Sequence, residues 1–382
     1  MNLLGEFNSV RTKKVLAFNE RRVRPISTTN RVLFRQIPED GMKTKPHRQI
    51  ASSPSRILDA PDLRDDYYLN LLSWSNDKIL AVALNQTVYL WNADTGVIRE
   101  LNACMGVNDY VTSVSWIKQG NSNSLAIGTD NAEVQLWDAS TAKKVRSMRG
   151  HAGRVGSLAW NGQMLSSGSR DSSIFLHDIR AQRHHVTTYR GHHQEVCGLS
   201  WSPDGTTLAS GGNDNMLCLW DRHHGRSSNQ TPRQVLSGHH AAVKALAWCP
   251  WERHLLASGG GTADRTIKFW NSSSGTMLNS VDTNSQVCGL LWSKTEKEIL
   301  SSHGFSHYQL CLWKYPTMTK VKELKGHTAR VLHMAMSPDG STIVSAAADE
   351  TLRFWDVFPA SDDAKETGNP CVNKFARIAG IR

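Results

Sequence analysis

Gly191-His192-His193-Gln194-Glu195-Val196-Cys197-Gly198-Leu199-Ser200-Trp201, then Leu208-Ala209-Ser210-Gly211-Gly212-Asn213-Asp214, then Leu217-Cys218-Leu219-Trp220-Asp221: these three runs decide the fold. In the first, Cys197, Leu199 and Trp201 share one face, and apolar residues alternating with period two between turn residues make strands. The Gly-Gly-Asn-Asp closing the second is turn chemistry. Moving outward, tryptophans recur at Trp74, Trp116, Trp160, Trp201, Trp248 and Trp292, with Met336 in the seventh place, at spacings of 42, 44, 41, 47, 44 and 44 residues. A second set closes alternating runs at Leu90-Trp91, Leu136-Trp137, Leu176-His177, Leu219-Trp220, Phe269-Trp270, Leu312-Trp313 and Phe354-Trp355. Twelve of the 13 tryptophans belong to these two sets, and Trp251 alone is left without a role.

A unit of ~40–45 residues with Gly-His near its start, four strands and Trp-Asp near its end is the WD40 repeat. Gly-His stands at Gly150-His151, Gly191-His192, Gly238-His239 and Gly326-His327, and Trp-Asp at Trp137-Asp138, Trp220-Asp221 and Trp355-Asp356. Seven units predict an all-β chain, a seven-bladed WD40 β-propeller over 55–357, between a basic, largely disordered arm (1–54) and a flexible tail (358–382). His192, Ser210, Asp214 and Trp220 suit a hydrogen-bonded chain tying the strands of one blade, as do His327, Ser345, Asp349 and Trp355. An unpaired buried polar group costs ~1–3 kcal/mol, so these His and Asp are read as structural. After Trp355 the chain meets Pro359 and a polar stretch, leaving the last blade one strand short. Arg56–Ala60 is expected to supply that strand and remove the open edge.

The 382 residues hold 44 Lys+Arg against 34 Asp+Glu, a formal charge of +10. Residues 1–56 carry 12 of those cations and 4 of the acids, so the basicity belongs to the arm and the propeller is nearly neutral. No apolar run approaches the ~18–20 residues of a membrane-spanning helix, and the first residues lack a secretory signal. Seven scattered cysteines without a C-x-x-C pair read as reduced, mostly buried thiols. The doublets His184-His185 and His223-His224 read as exposed loop residues. There is no nucleophile elbow and no metal-ligand spacing, and Gly259-Gly260-Gly261 lies inside a blade turn rather than in a phosphate loop. An interaction module without metal or cofactor is expected, not an enzyme. One position precedes the innermost strand of every blade: Tyr68, Tyr110, Arg154, Glu195, Ala242, Gln286 and Arg330. It varies in charge and size, as an exposed rim around the channel does and a core position does not.

Specific strings then resemble the Fizzy co-activators of the anaphase-promoting complex (cyclosome). They are Arg56-Ile57-Leu58-Asp59-Ala60-Pro61 with Asp65-Asp66-Tyr67-Tyr68-Leu69-Asn70-Leu71, then Val155-Gly156-Ser157-Leu158-Ala159-Trp160, Gln194-Glu195-Val196-Cys197-Gly198-Leu199, Ala247-Trp248-Cys249-Pro250 and Lys314-Tyr315-Pro316-Thr317-Met318. The resemblance covers roughly 54–357 and the terminal Ile381-Arg382. It implies a substrate-recruiting adaptor of the ubiquitin ligase that promotes mitotic progression in the nucleus and cytoplasm. Its partners would be ligase subunits, degron-bearing substrates such as cyclins and securin, and spindle-checkpoint proteins, with no membrane or nucleic acid.

By the same resemblance, Asn213, Asn215, Thr262, Gln286 and Arg330 match positions that hold the KEN degron on the upper face. Amide and hydroxyl groups would pair with its Asn, and Arg330 would hold its Glu. Glu350 matches one acid of the destruction-box groove between the first and last blades. Ser73 stands where the family has the second, which predicts weaker recognition of that degron's Arg. Lys14, Val15 and Leu16 resemble the basic-hydrophobic docking motif, and Ile381-Arg382 the tail that enters a ligase subunit. The upstream C box is absent from these residues, which implies either a chain that begins late or a paralogue. Two other readings stand beside this one: a C-box-less paralogue that binds degrons or checkpoint proteins without activating the ligase, and an RNA- or chromatin-associated WD40 scaffold.

Overall fold

The computed structural model of the chain describes residues 48–118, 123–222 and 229–360. Every regular element among them is a strand, and the strands fall into seven sheets, antiparallel but for one short outer strand. The innermost strands, in chain order, are Leu72–Trp74, Val111–Trp116, Ser157–Asn161, Val196–Trp201, Val243–Trp248, Val287–Trp292 and Val331–Met336. Each opens one blade, so the tryptophan spacing counted the blades correctly.

Burial falls outward through each blade, as the residue pattern requires. In the fifth blade all of Leu255–Gly260 is buried, whereas the outer strand Thr276–Asp282 is almost wholly exposed. Close approach between blades needs small residues. A Cβ on Gly211 would lie 2.2 Å from the Val243 carbonyl of the next blade, so only glycine fits there.

The two tryptophan sets have separate jobs. The inner set joins blades: the Trp160, Trp248 and Trp292 indoles each donate to a carbonyl of the preceding inner strand at 3.0 Å, namely Ser115, Ser200 and Ala247. Trp201 donates to Ser166 Oγ at 3.1 Å. Trp251 joins the same system from a turn, packing edge-on against Trp292 at 5.3 Å and donating to the Ser293 carbonyl at 3.4 Å.

The outer set ties strands within a blade. Trp220 Nε1 donates to Ser210 Oγ at 2.8 Å, His192 Nε2 meets the same oxygen at 2.7 Å, and His192 Nδ1 meets Asp214 at 3.0 Å. The chain of His327, Ser345, Asp349 and Trp355 repeats this. Two further chains, not singled out in the sequence, are His239-Ser258-Asp264-Trp270 and His151-Ser167-Asp171, with His177 in the tryptophan place. This third blade corrects the loop reading of the doublet His184-His185. His184 is half-buried and its Nδ1 meets that of His177 at 3.0 Å, while His185 opens the strand His185–Arg190. His223 and His224 lie outside the described residues.

The expected closing strand is present. Arg56–Asp59 runs antiparallel to Thr351–Asp356, with Leu58 opposite Leu352 and fully buried. Ala60 continues the pairing through its amide to the Glu350 carbonyl at 2.7 Å. The course of the next residues was not legible in the sequence. The chain from Ala60 to the first blade crosses the upper face and enters the axial channel. Tyr67 Oη donates to the carbonyls of Ala242 and Val287, in the fifth and sixth blades, at 3.3 and 3.2 Å. Asn70 Nδ2 donates to those of Gly156 and Cys197, in the third and fourth, at 2.7 and 3.0 Å. Below Tyr67, Lys244 Nζ donates to the Leu332 carbonyl at 2.9 Å, and burial pushes its pKa down to about 8. A second unforeseen element is Asn229–Gln230, which adds a short parallel strand outside Thr188 and Tyr189 of the third blade. The six described cysteines are unpaired and buried.

Candidate functional site

Four consecutive blades send turns toward one end of the axis, and the strap from Arg64 to Tyr68 supplies the inner wall. Between them lies an open cavity of about 750 Å³. Asn213 and Asn215 reach it from the turn after Thr207–Gly212, where Asn215 adopts φ 65°, a left-handed conformation that Asn tolerates. Thr262 comes from the turn after Leu255–Gly260. Gln286 and Arg330 stand immediately before the inner strands Val287–Trp292 and Val331–Met336. The structure therefore brings all five of these residues to one wall system.

Arg330 is already engaged. Its Nε and Nη2 donate to Asp65 Oδ1 at 2.9 and 2.6 Å, and Nη2 also reaches the Asp65 carbonyl at 3.2 Å. The guanidinium carbon lies 5.2 Å from the centre of the half-exposed Phe305 ring. On the far side, Arg154 clasps both Glu195 oxygens at 2.7 and 3.0 Å and donates to Asp66 Oδ2 at 2.7 Å. Burial opposes the Arg154 cation, but the Glu195 and Asp66 carboxylates outweigh it and raise its pKa. Tyr68 Oη donates to Asn213 Oδ1 at 2.7 Å, leaving the Asn213 amide nitrogen on Gln194 at 2.6 Å. Gln286 Oε1 is buried without a hydrogen-bond partner, at a cost of ~1–3 kcal/mol that an N–H donor relieves.

These contacts correct the expectation of seven exposed rim side chains. Glu195, Ala242 and Gln286 are buried, at 8%, 9% and 4% exposure. Tyr110 lies beneath the Arg64 guanidinium at 3.6 Å, and Arg154 is held by two acids. The reason is the strap: it fills the axis that the repeat alone leaves open. Asp65, Asp66 and Tyr67 were missed for the same reason: they precede the repeats, and the partner of Asp65 is 265 residues away. Phe305, after Gly304 in the sixth blade, stands where Thr262 follows Gly261 in the fifth, and was missed at that repeat position.

The other candidate residues are not united. Ser73 lies in the first inner strand, Leu72–Trp74, with its Oγ accepting the Trp116 amide of the second blade at 3.1 Å. Glu350 is exposed in the turn before Thr351–Asp356. No hydrogen bond joins the two among the described residues. The seam between first and last blades is instead aromatic, with Trp74 edge-on to Phe354 at 5.9 Å and the Arg56 guanidinium over Trp91 at 5.2 Å. Lys14, Val15, Leu16, Ile381 and Arg382 lie outside the described residues.

A sequence profile of the CDC20/Fizzy WD40 domain matches residues 58–355. The chain belongs to this family. It is 54% identical over 389 aligned residues to the anaphase-promoting complex subunit cdc20 of Dictyostelium discoideum, covering 98% of this chain and 76% of the relative. It is 50% identical to cell division cycle 20.1, cofactor of APC complex, of Arabidopsis thaliana, covering 99% and 83%. The same plant's protein FIZZY-RELATED 1 is 54% identical, covering 83% and 65%. A chain in a crystal structure of the mitotic checkpoint complex superposes with a TM-score of 0.78 at 46% identity, covering 87% of this chain and all of that one. The family is one of propeller co-activators and not of catalysts.

Proposed function

We propose that this chain is a substrate-recognition adaptor and activator of the anaphase-promoting complex ubiquitin ligase. It binds KEN and destruction-box degrons and so promotes ubiquitination of cell-cycle proteins in the nucleus and cytoplasm. Family membership, with relatives named as cofactors of that complex, supports the co-activator role. The observation that carries degron binding is the convergence of Asn213, Asn215, Thr262, Gln286 and Arg330 on one open cavity.

The chemistry fits a short polar segment in extended form. Asn215, Thr262 and Gln286 offer amide and hydroxyl partners for a ligand Asn, and Arg330 offers a forked donor for a carboxylate. Ser73 and Glu350 would meet a destruction-box Arg with a single acid. Lys14, Val15, Leu16, Ile381 and Arg382 would dock the ligase, and spindle-checkpoint proteins would compete for the same faces. Purified ligase supplemented with this chain should ubiquitinate a KEN- or destruction-box-bearing substrate faster than ligase alone. No stimulation, with degron binding intact, would replace this reading by a competitor that holds substrates without activating the ligase.

A further inference from the structure

The axial channel beneath the strap holds one cation that the repeat does not require. Lys244 is the second residue of the inner strand Val243–Trp248, and Thr112, Cys197, Cys288 and Leu332 take the same place in theirs. None of those four is charged, because burial pushes both thiols up to about 12. Lys244 is 6% exposed and crosses from the fifth blade to the seventh, where its Nζ donates to the Leu332 carbonyl at 2.9 Å. That nitrogen lies 3.5 Å from His333 Nδ1 and 5.6 Å from the centre of the Tyr67 ring. Among the described residues, no carboxylate pairs with it. The Asp66 charge favours the cation and that of Arg330 opposes it, and Asp66 is itself held by Arg154.

His333 supplies a second donor. An ammonium only donates, so His333 Nδ1 accepts from it, and a neutral imidazole then carries its proton on Nε2. Burial, and after it the Lys244 charge, keeps that ring neutral. His333 is 6% exposed, and its Nε2 has no hydrogen-bond partner among the described residues. One N–H of Lys244 is likewise left over after Leu332 and His333. Two donors and a single positive charge therefore share an interior where a bare ion and an unmet donor are both unfavourable. We propose that the channel beneath Tyr67 binds a small monovalent anion of the halide class between Lys244 Nζ and His333 Nε2. A monovalent ion balances the one ammonium, whereas a divalent one leaves a buried charge unmatched. Val287, Cys288 and Leu332 of the adjoining strands are fully buried, which favours a compact ion over an organic acid. The anion would fix the cation under Tyr67, the residue that anchors the strap to the fifth and sixth blades.

The test follows the melting temperature of the full chain as sodium chloride or bromide replaces sodium gluconate at constant ionic strength. Wild type should gain about 2–4 °C by ~100 mM halide, along a curve that saturates. Lys244→Met keeps an unbranched stem without the charge, and its melting temperature should not respond to halide beyond gluconate. His333→Phe keeps a ring without the Nε2 donor and should raise the half-saturating concentration about tenfold. In bromide-soaked crystals of wild type, an anomalous peak should touch both nitrogens. A flat wild-type titration overturns the site and makes water the partner of both donors. A shift that survives both substitutions, or bromide found only elsewhere, overturns it equally.

Discussion

Arg330 shows how much a single side chain's role depends on what faces it. Its guanidinium lies between the Asp65 carboxylate and the Phe305 ring, in a cavity that the strap residues Arg64 and Asp66 share with neutral amides and hydroxyls. Truncation removes a charge-assisted contact of ~1.5–3 kcal/mol, so Arg330→Ala should weaken a KEN peptide by about tenfold or more. A destruction-box peptide should keep its affinity, because the seam between first and last blades shares no described hydrogen bond with Arg330. Isothermal titration of the two peptides decides this, and equal loss of both would merge the two sites into one. The residue types were legible in the sequence, and a resemblance assigned them. Their present partners were not, because Asp65 precedes the repeats and nothing in the periodicity points it at the seventh blade.

At the scale of elements, the closing strand carries the heaviest demand. Arg56–Asp59 is the part of the seventh blade that comes from the start of the propeller, and it covers the edge that Thr351–Asp356 would otherwise leave open. Leu58 anchors it, fully buried among residues of the first and last blades. Leu58→Ala should destabilise the propeller by ~2–5 kcal/mol, through lost burial and the cavity left behind. Chemical denaturation reads this directly, and a loss under ~1 kcal/mol would mean that backbone pairing alone holds the ring shut. This strand was legible because strand accounting left one blade short and one apolar segment over. The strap after it was not. Its Tyr67 and Asn70 make hydrogen bonds to four separate blades, which no local pattern announces.

For the molecule as a whole, the buried histidines set the response to acid. Burial holds His303 down at about 4, and holds His177 and His333 well below the ordinary imidazole value. Unfolding returns each to ~6.5, so the unfolded chain binds more protons than the folded one below that pH. Stability therefore falls as pH drops from ~6.5 toward ~4. The carboxylates of Asp214 and Asp264 act later. Burial works against both, but hydrogen bonds from His192 and His239 outweigh it and depress them, Asp264 to about 2. Their contribution is present above their unfolded value and is lost only as pH falls below it. Calorimetry should show Tm already falling between ~pH 6.5 and 5.5, above the range in which ordinary carboxylates titrate. A flat Tm across that window would show that these imidazoles gain solvent before the fold is lost.

Sequence alone was enough for the number of blades, the repeat positions of twelve tryptophans, two of the four His-Ser-Asp ties and the strand that closes the ring. All of these come from local periodicity and from the rule that buried polar groups and strand edges must be paired, and both are written at fixed spacing along the chain. What occupies the axis had to come from the folded chain: that the strap carries Tyr67 into the channel, that Asp65 and Asp66 meet Arg330 and Arg154, and that three of the seven rim residues are buried and four half-buried. Those pairings join residues up to 265 positions apart. Their partners are chosen by where ring closure sets the chain down, which no spacing encodes.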